Sequence, residues 1–180
     1  MVKDGILFGV FMLDCSSHIT QISGNYTDKN IVTIKVSHVH LTPEAMAIIV
    51  RLAQKEFPNE VCGFLIGDAG DLFLPERRIT AVISAENTTV DRTNSYKIDP
   101  REWRKAEAHA QCQNQAISGI YHSHPNGSAT PSKIDTESAW PELVYLIAAI
   151  GVDGVKDICA WCFDLEANAW KPIKVQVRLG

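Results

Sequence analysis

The sequence predicts an α+β domain built on a mixed β-sheet. Segments with the strand pattern outnumber those with the helix pattern, and the helices do not alternate regularly with the strands. A length of 180 residues and an apolar content of 46% fit one domain with a substantial core. We expect this domain to span residues 31–180. Residues 1–30 should be an appendage of unknown role, because residues 16–30 are polar and rich in turn-forming residues.

The first half of the domain has clear strand and helix signals. Residues 32–41 alternate between β-branched and polar side chains, which predicts a strand. Thr42 and Pro43 are typical of a helix start, and this helix should end before Pro58. The same patterns predict strands at 61–67 and 79–85 and a second helix at 100–113.

The second half is richer in strands. A short strand at 117–121 should lead directly into His122 and His124, and Pro125 should end its pairing. Ser132 is placed to begin a helix after a turn-rich loop. Further strands are predicted at 143–150, 157–163 and 170–178.

Composition excludes several classes of partner. The net charge of -4 provides no basic surface for nucleic acid. The apolar run at 5–13 is too short to cross a bilayer, so no membrane partner is expected. Five scattered cysteines are not a disulfide framework, and reduced thiols favour a cytoplasmic protein. The oligomeric state cannot be predicted from these features.

Other residues with metal or redox chemistry are interpreted as structural. Cys159 and Cys162 form a C-x-x-C, but no second pair accompanies it and the segment has the pattern of a buried strand. Cys62 lies in an apolar strand and should belong to the core. His38 and His40 form an H-x-H without an acidic partner nearby in sequence, so we expect surface or packing roles.

The most informative pattern is H-x-H-x7-S-x2-D, formed by His122, His124, Ser132 and Asp135. Residues i and i+2 of a strand share a face, so both imidazoles can point together. Ser132 and Asp135 lie on one side of a first helical turn. Two imidazoles and one carboxylate are the ligand set of a catalytic zinc with a position open for water, and Glu60 is a candidate acid/base. Ser-x-x-Asp is also a capping box, in which both side chains only satisfy backbone N–H groups.

These residues closely resemble the JAMM (MPN-type, JAB) zinc metalloprotease family, and most of all its compact prokaryotic members. The resemblance rests on Glu60 before a Gly-flanked apolar strand and on the complete motif from His122 to Asp135. It implies a curved mixed β-sheet flanked by helices, with a layering similar to that of cytidine deaminases. It also implies one Zn²⁺ per chain held by His122, His124 and Asp135, with Glu60 as general base and Ser132 as oxyanion donor.

The resemblance further implies a substrate class. Members of the family hydrolyse the bond after the C-terminal glycine of ubiquitin or ubiquitin-like proteins, and compact members act on ubiquitin-like or sulfur-carrier proteins. Substrate tails in this family lie extended beside a sheet edge. The short stretch between Asp135 and Leu143 leaves no room for the insertion that gives some members linkage specificity. Two alternatives remain: a phage-tail-type peptidase, and a zinc-containing module that binds a ubiquitin-like partner without cutting it.

Overall fold

The computed structural model of the chain describes residues 35–141 and 143–178. The predicted appendage and its apolar run lie outside the described residues. Within them, no helix has the length and apolarity needed to cross a membrane.

The described domain contains seven strands and three α-helices. The helices are α1 (Pro43–Glu56), α2 (Pro100–Gln111) and the short α3 (Lys133–Glu137). The strands are β1 (His38–Leu41), β2 (Cys62–Asp68), β3 (Glu76–Ala85), β4 (Gln115–Pro125), β5 (Val144–Gly151), β6 (Gly154–Asp164) and β7 (Ala169–Val177). This composition confirms the predicted α+β class.

The sheet is mixed, as predicted, but it closes into a barrel with the strand order β1-β3-β2-β4-β5-β6-β7. Closure depends on β1, which pairs in parallel with both β3 and β7. The mixed sheet that was predicted is thus present, and its closure into a barrel was not predicted. The four-residue strand β1 joins the two ends of the sheet, because it pairs with β3 on one side and with β7 on the other. Its sequence pattern predicts a strand but not the number of its partners.

Apolar residues of the barrel form a main cluster and smaller ones. The main cluster joins Ala45, Ile49 and Ala53 of α1 to alternate residues of the strands, among them Leu65 and Leu146. Another joins Ala106 and Ala110 of α2 to the neighbouring positions Phe64 and Ile66. Because successive strand residues point to opposite faces, the two helices pack with different faces of β2.

Several predicted boundaries are wrong. The predicted start of β1 at residue 32 lies outside the described residues, but residues 35–37 are not in a strand and β1 begins at His38. β3 begins three residues earlier than predicted, at Glu76. β4 is longer than the predicted 117–121, since it begins at Gln115 and includes both histidines, and it ends at Pro125 as predicted. The strand is long because β2 pairs along one side and β5 along the other, and Pro125 still lies opposite Ile150. The pairing partners of β4 are distant in sequence, so its length could not be predicted from local sequence.

Candidate metal centre

The two histidines of the motif lie near the end of β4, on the same face. Their Cα partners in β5 are Ile147 and Ala149. The intervening Ser123 points the other way, and its hydroxyl accepts a hydrogen bond from the Val61 N–H at 3.0 Å. The His122 side chain is fully buried and that of His124 is 13% exposed. The rigid strand therefore presents two imidazoles to one point beneath the surface.

Asp135 reaches the same point from α3. Ser132 caps this helix: its hydroxyl accepts from the Asp135 N–H at 3.2 Å, and its own N–H donates to Asp135 Oδ2 at 2.7 Å. The capping interpretation of the Ser-x-x-Asp pattern is thus correct in geometry. It does not exclude a ligand role, because a carboxylate has lone pairs to spare after one such contact.

The three side chains converge. Nε2 of His122 lies 3.2 Å from Asp135 Oδ1, Nε2 of His124 lies 3.5 Å from Asp135 Oδ2, and the two Nε2 atoms are 3.0 Å apart. Their potential ligand atoms all fall within 4.8 Å of one another, which makes them the one such metal-compatible group in the part of the chain that the structure describes.

The hydrogen bonds constrain the protonation of these groups. The Ser128 carbonyl lies 2.9 Å from His124 Nδ1 and can only accept, so Nδ1 carries a proton, and in the neutral ring Nε2 keeps a lone pair that a metal could use. Burial lowers the pKa of His122, which favours its neutral form. Burial opposes ionisation of Asp135 as well, but hydrogen bonds from both imidazoles and from Ser132 hold its pKa well below the usual range.

This donor set suits a divalent metal. The two Nε2 atoms at 3.0 Å must share either a proton, in an N–H···N hydrogen bond, or a cation, because two bare lone pairs would repel each other. The pKa of His124 is raised, against the effect of burial, by Asp135 and the Ser128 carbonyl. In place of the shared proton, Zn²⁺ would suit this set of two nitrogens and one carboxylate, which zinc prefers. The Nδ1–H···O=C contact of His124 is the outer hydrogen bond that metal-binding histidines ordinarily make.

Glu60 lies two residues before the start of β2 and is 6% exposed. Burial raises the pKa of its carboxyl group from 4.5 to about 7. The charge of His124 opposes this shift and the charge of Asp135 adds to it, so Glu60 lies within the electrostatic reach of both predicted ligands. A carboxyl group that titrates near neutral pH is suited to taking up and releasing a proton.

Three aromatic residues support the site and were not predicted. Tyr96 stacks on His122 with ring centroids 4.5 Å apart. Trp161 Nε1 donates to the Ala129 carbonyl at 2.8 Å, and Trp170 Nε1 donates to Thr136 Oγ1 at 2.9 Å. The indoles thereby attach the loop and helix that carry Asp135 to β6 and β7. These three residues lie far from the motif in the sequence, so no local pattern predicts the contacts.

None of the other chemically suggestive residues that the structure describes belongs to this group of potential ligands. Burial raises the pKa of the Cys62 thiol to about 12, so it remains protonated and is no nucleophile. Cys159 and Cys162 pack in different clusters and both are free thiols, so they form no paired site. In β1, His40 Nε2 contacts Glu76 at 3.3 Å, an acidic partner that local sequence did not predict.

Comparisons with known proteins agree with this geometry. The family model of prokaryotic homologs of the JAB domain matches residues 42–163, which include every residue of the candidate site. The chain is 38% identical over 94 residues to a desampylase of Haloferax volcanii, covering 51% of this chain and 63% of that protein. It is 31% identical over 102 residues to a probable TtuB-protein conjugate cleaving protease of Thermus thermophilus, covering 57% of this chain and 62% of that protein.

The chain thus aligns with somewhat less than two thirds of the length of these relatives. Among solved structures, the protein DSY2949 from Desulfitobacterium hafniense has a similar fold. The TM-score is 0.68 with 25% sequence identity, over 79% of this chain and 94% of that one.

Proposed function

The chain belongs to the family of prokaryotic homologs of the JAB domain, and on that premise we propose that it is a zinc-dependent peptidase or isopeptidase. Its substrate would be a ubiquitin-like or sulfur-carrier protein, cut after the C-terminal glycine. The observation that carries this proposal is the convergence of His122, His124 and Asp135 within electrostatic reach of the buried Glu60. The names of the relatives, a desampylase and a protease that cleaves protein conjugates, support a hydrolase of JAB type.

The metal would be held by Nε2 of His122, Nε2 of His124 and the carboxylate of Asp135. Zinc held by such a set acidifies water, so that hydroxide becomes available near neutral pH. The rest of the chemistry belongs to the protein. Glu60 would accept a proton from the attacking water and deliver it to the leaving amine, which a pKa near neutrality allows in both directions.

Ser132 would stabilise the oxyanion that develops on the scissile carbonyl. Its oxygen accepts the hydrogen bond of the Asp135 N–H, while its own hydroxyl proton can still be donated elsewhere. The cap therefore holds the hydroxyl in place and leaves its donor available. One donor of this kind contributes about 3 kcal/mol of transition-state stabilisation.

The substrate tail would add as an extended strand along β3. Among the described residues, β1 pairs with β3 from Glu76 to Ile79, so residues 81–85 are paired on the β2 side alone. This stretch ends at Ala85, which lies opposite Cys62, two residues after Glu60 in the sequence. Main-chain bonds along such an edge would guide a tail of small residues toward the candidate metal centre.

The test is cleavage of a ubiquitin-like protein with a short C-terminal extension, with bound zinc measured in every variant. Wild type should cut after the terminal glycine. Glu60→Gln should bind zinc and cut nothing, while Asp135→Ala should lose both zinc and activity. Zinc in the wild type without cleavage of any such substrate would favour the non-cutting module. Full zinc content in Asp135→Ala would remove that residue from the ligand set.

A further inference from the structure

The side chain of Asn87, just beyond the end of β3, is 8% exposed and makes every hydrogen bond that an amide can make to fixed partners. Its Nδ2 donates to the Glu60 carbonyl at 3.1 Å and to the Ser95 carbonyl at 3.0 Å. Its Oδ1 accepts from the N–H groups of Thr89 and Lys97, both at 3.2 Å. Two donors and two acceptors are needed at one place, which an amide supplies and a carboxylate or hydroxyl does not.

These contacts tie Glu60 to one segment, residues 87–97, which we call the Asn87 loop. The carbonyl of Glu60 accepts from Asn87, and its N–H donates to the Arg92 carbonyl at 2.6 Å. Both polar groups of the Glu60 main chain therefore bind the loop. The next residue is held differently, because the Val61 N–H donates to Ser123 of β4. The main chain of Glu60 is therefore hydrogen-bonded to the loop, whereas the N–H of Val61 is hydrogen-bonded to the barrel.

The same loop also carries Tyr96, whose ring stacks on the buried His122. The loop is cross-linked internally, since the Thr88 N–H donates to the Lys97 carbonyl at 2.9 Å and the hydroxyls of Thr89 and Ser95 lie 3.2 Å apart. A displacement of the loop would therefore move Glu60 and, at the same time, remove the Tyr96 ring from its contact with His122.

We propose that Asn87 is a positioning residue for the hydrolysis, and that its amide fixes the main chain of Glu60 at the distance from the candidate metal centre that proton transfer requires. This inference rests on the proposed role of Glu60 as general base. Asn87 touches no reacting atom and acts through Glu60. Misplacement of a catalytic group by about 1 Å lowers the rate about 100-fold, so loss of this anchor should reduce kcat and leave KM almost unchanged.

The decisive variant is Asn87→Asp, which keeps the shape and the two acceptor contacts but turns an oxygen toward the carbonyls of Glu60 and Ser95. In the zinc-loaded protein we expect kcat to fall between about 10-fold and about 100-fold, with unchanged zinc content and KM. Asn114→Asp is the matched control. It makes the same change of charge at an exposed residue after α2, outside the Asn87 loop. It should leave kcat near the wild-type value.

Amide hydrogen exchange, read by NMR on the zinc-loaded protein, tests the anchor without any substrate. Asn87→Asp should speed exchange at the Glu60 amide and leave the Val61 amide as slow as in wild type. Equal protection of the Glu60 amide in both proteins would overturn the proposal, as would an unchanged kcat in a folded Asn87→Asp variant. If wild type cleaves no conjugate, the proposed function has failed, and the exchange comparison still decides whether Asn87 holds Glu60.

Should Asn87→Asp not fold, wild type alone is sufficient. The Glu60 amide should then exchange together with the Thr88 and Lys97 amides of the loop, and faster than the Val61 amide. Exchange of Glu60 in step with Val61 would mean that the barrel, and not the loop, holds the base, which refutes the inference.

Discussion

Replacing Glu60 by glutamine should change how the stability of the metal-free protein depends on pH. The pKa of this buried carboxyl group is raised to about 7, chiefly by burial. At pH below 4.5 the group is protonated in both the folded and the unfolded chain, so it contributes no pH dependence. Between pH 4.5 and 7 the folded state keeps a proton that the unfolded state has released, so stability falls as pH rises.

The magnitude follows from the interval between the two pKa values. From 4.5 to about 7, at about 1.4 kcal/mol per pH unit, ionised Glu60 costs the metal-free fold about 3 kcal/mol above pH 7. Glutamine has nearly the same shape and no charge to bury. Metal-free Glu60→Gln should therefore gain up to about 3 kcal/mol over wild type between pH 4.5 and 8.

Urea unfolding of both proteins in the presence of a chelator, at intervals from pH 4.5 to 8, measures this difference. Glu166→Gln, in the exposed turn between β6 and β7, removes one carboxylate from the surface and should show no such trend. A difference between wild type and Glu60→Gln that stays flat across the range would refute the argument that burial holds Glu60 protonated. Added zinc should narrow the gap at pH 8, since a nearby cation favours the ionised form.

Two further substitutions test the supports of the site. Ser132→Ala should cost about 1 kcal/mol of unfolding free energy through loss of the cap, and it should lower kcat about 100-fold or more through loss of the oxyanion donor. Ser132→Thr should keep both the cap and the donor. Full kcat in Ser132→Ala would exclude the donor role. Trp161→Phe should leave the Ala129 carbonyl without its indole donor, cost about 1 kcal/mol, and weaken zinc binding in a chelator competition, because Ala129 lies on the loop between His124 and Asp135. Unchanged zinc affinity in Trp161→Phe would mean that the position of this loop does not affect the proposed ligands.

The sequence predicts well those parts of the site that depend on short-range periodicity. His122 and His124 share a face because of the two-residue repeat of a strand, and Ser132 and Asp135 share a side because of the helical turn. The start of α1 at Thr42 is likewise a local matter, since its hydroxyl accepts from the Ala45 N–H at 3.2 Å. In each case the chemistry and the spacing lie within a few residues.

Other features depend on pairs of residues far apart in the chain. Closure of the barrel requires β1 to pair with β7. The length of β4 is set by its pairing with β2 on one side and with β5 on the other. The stacking of Tyr96 on His122 and the contact of Trp161 with Ala129 are of the same kind. Burial of Glu60, which gives the carboxyl its raised pKa, is also a product of the assembled fold. No pattern of neighbouring residues encodes such contacts.

Asp135 explains why a capping box and a ligand set can share residues. Its Oδ2 receives the Ser132 N–H at 2.7 Å, and its Oδ1 faces His122 Nε2 at 3.2 Å. Hydrogen bonds from both imidazoles and then from Ser132 favour the ionised form of the buried carboxyl group, which is the form that would bind a metal. A five-residue helix such as α3 has little stability of its own, so these contacts and the Trp170–Thr136 bond hold it in place. The capping box is therefore compatible with the ligand role proposed for Asp135, because the cap holds the carboxylate in place and leaves Oδ1 directed at His122.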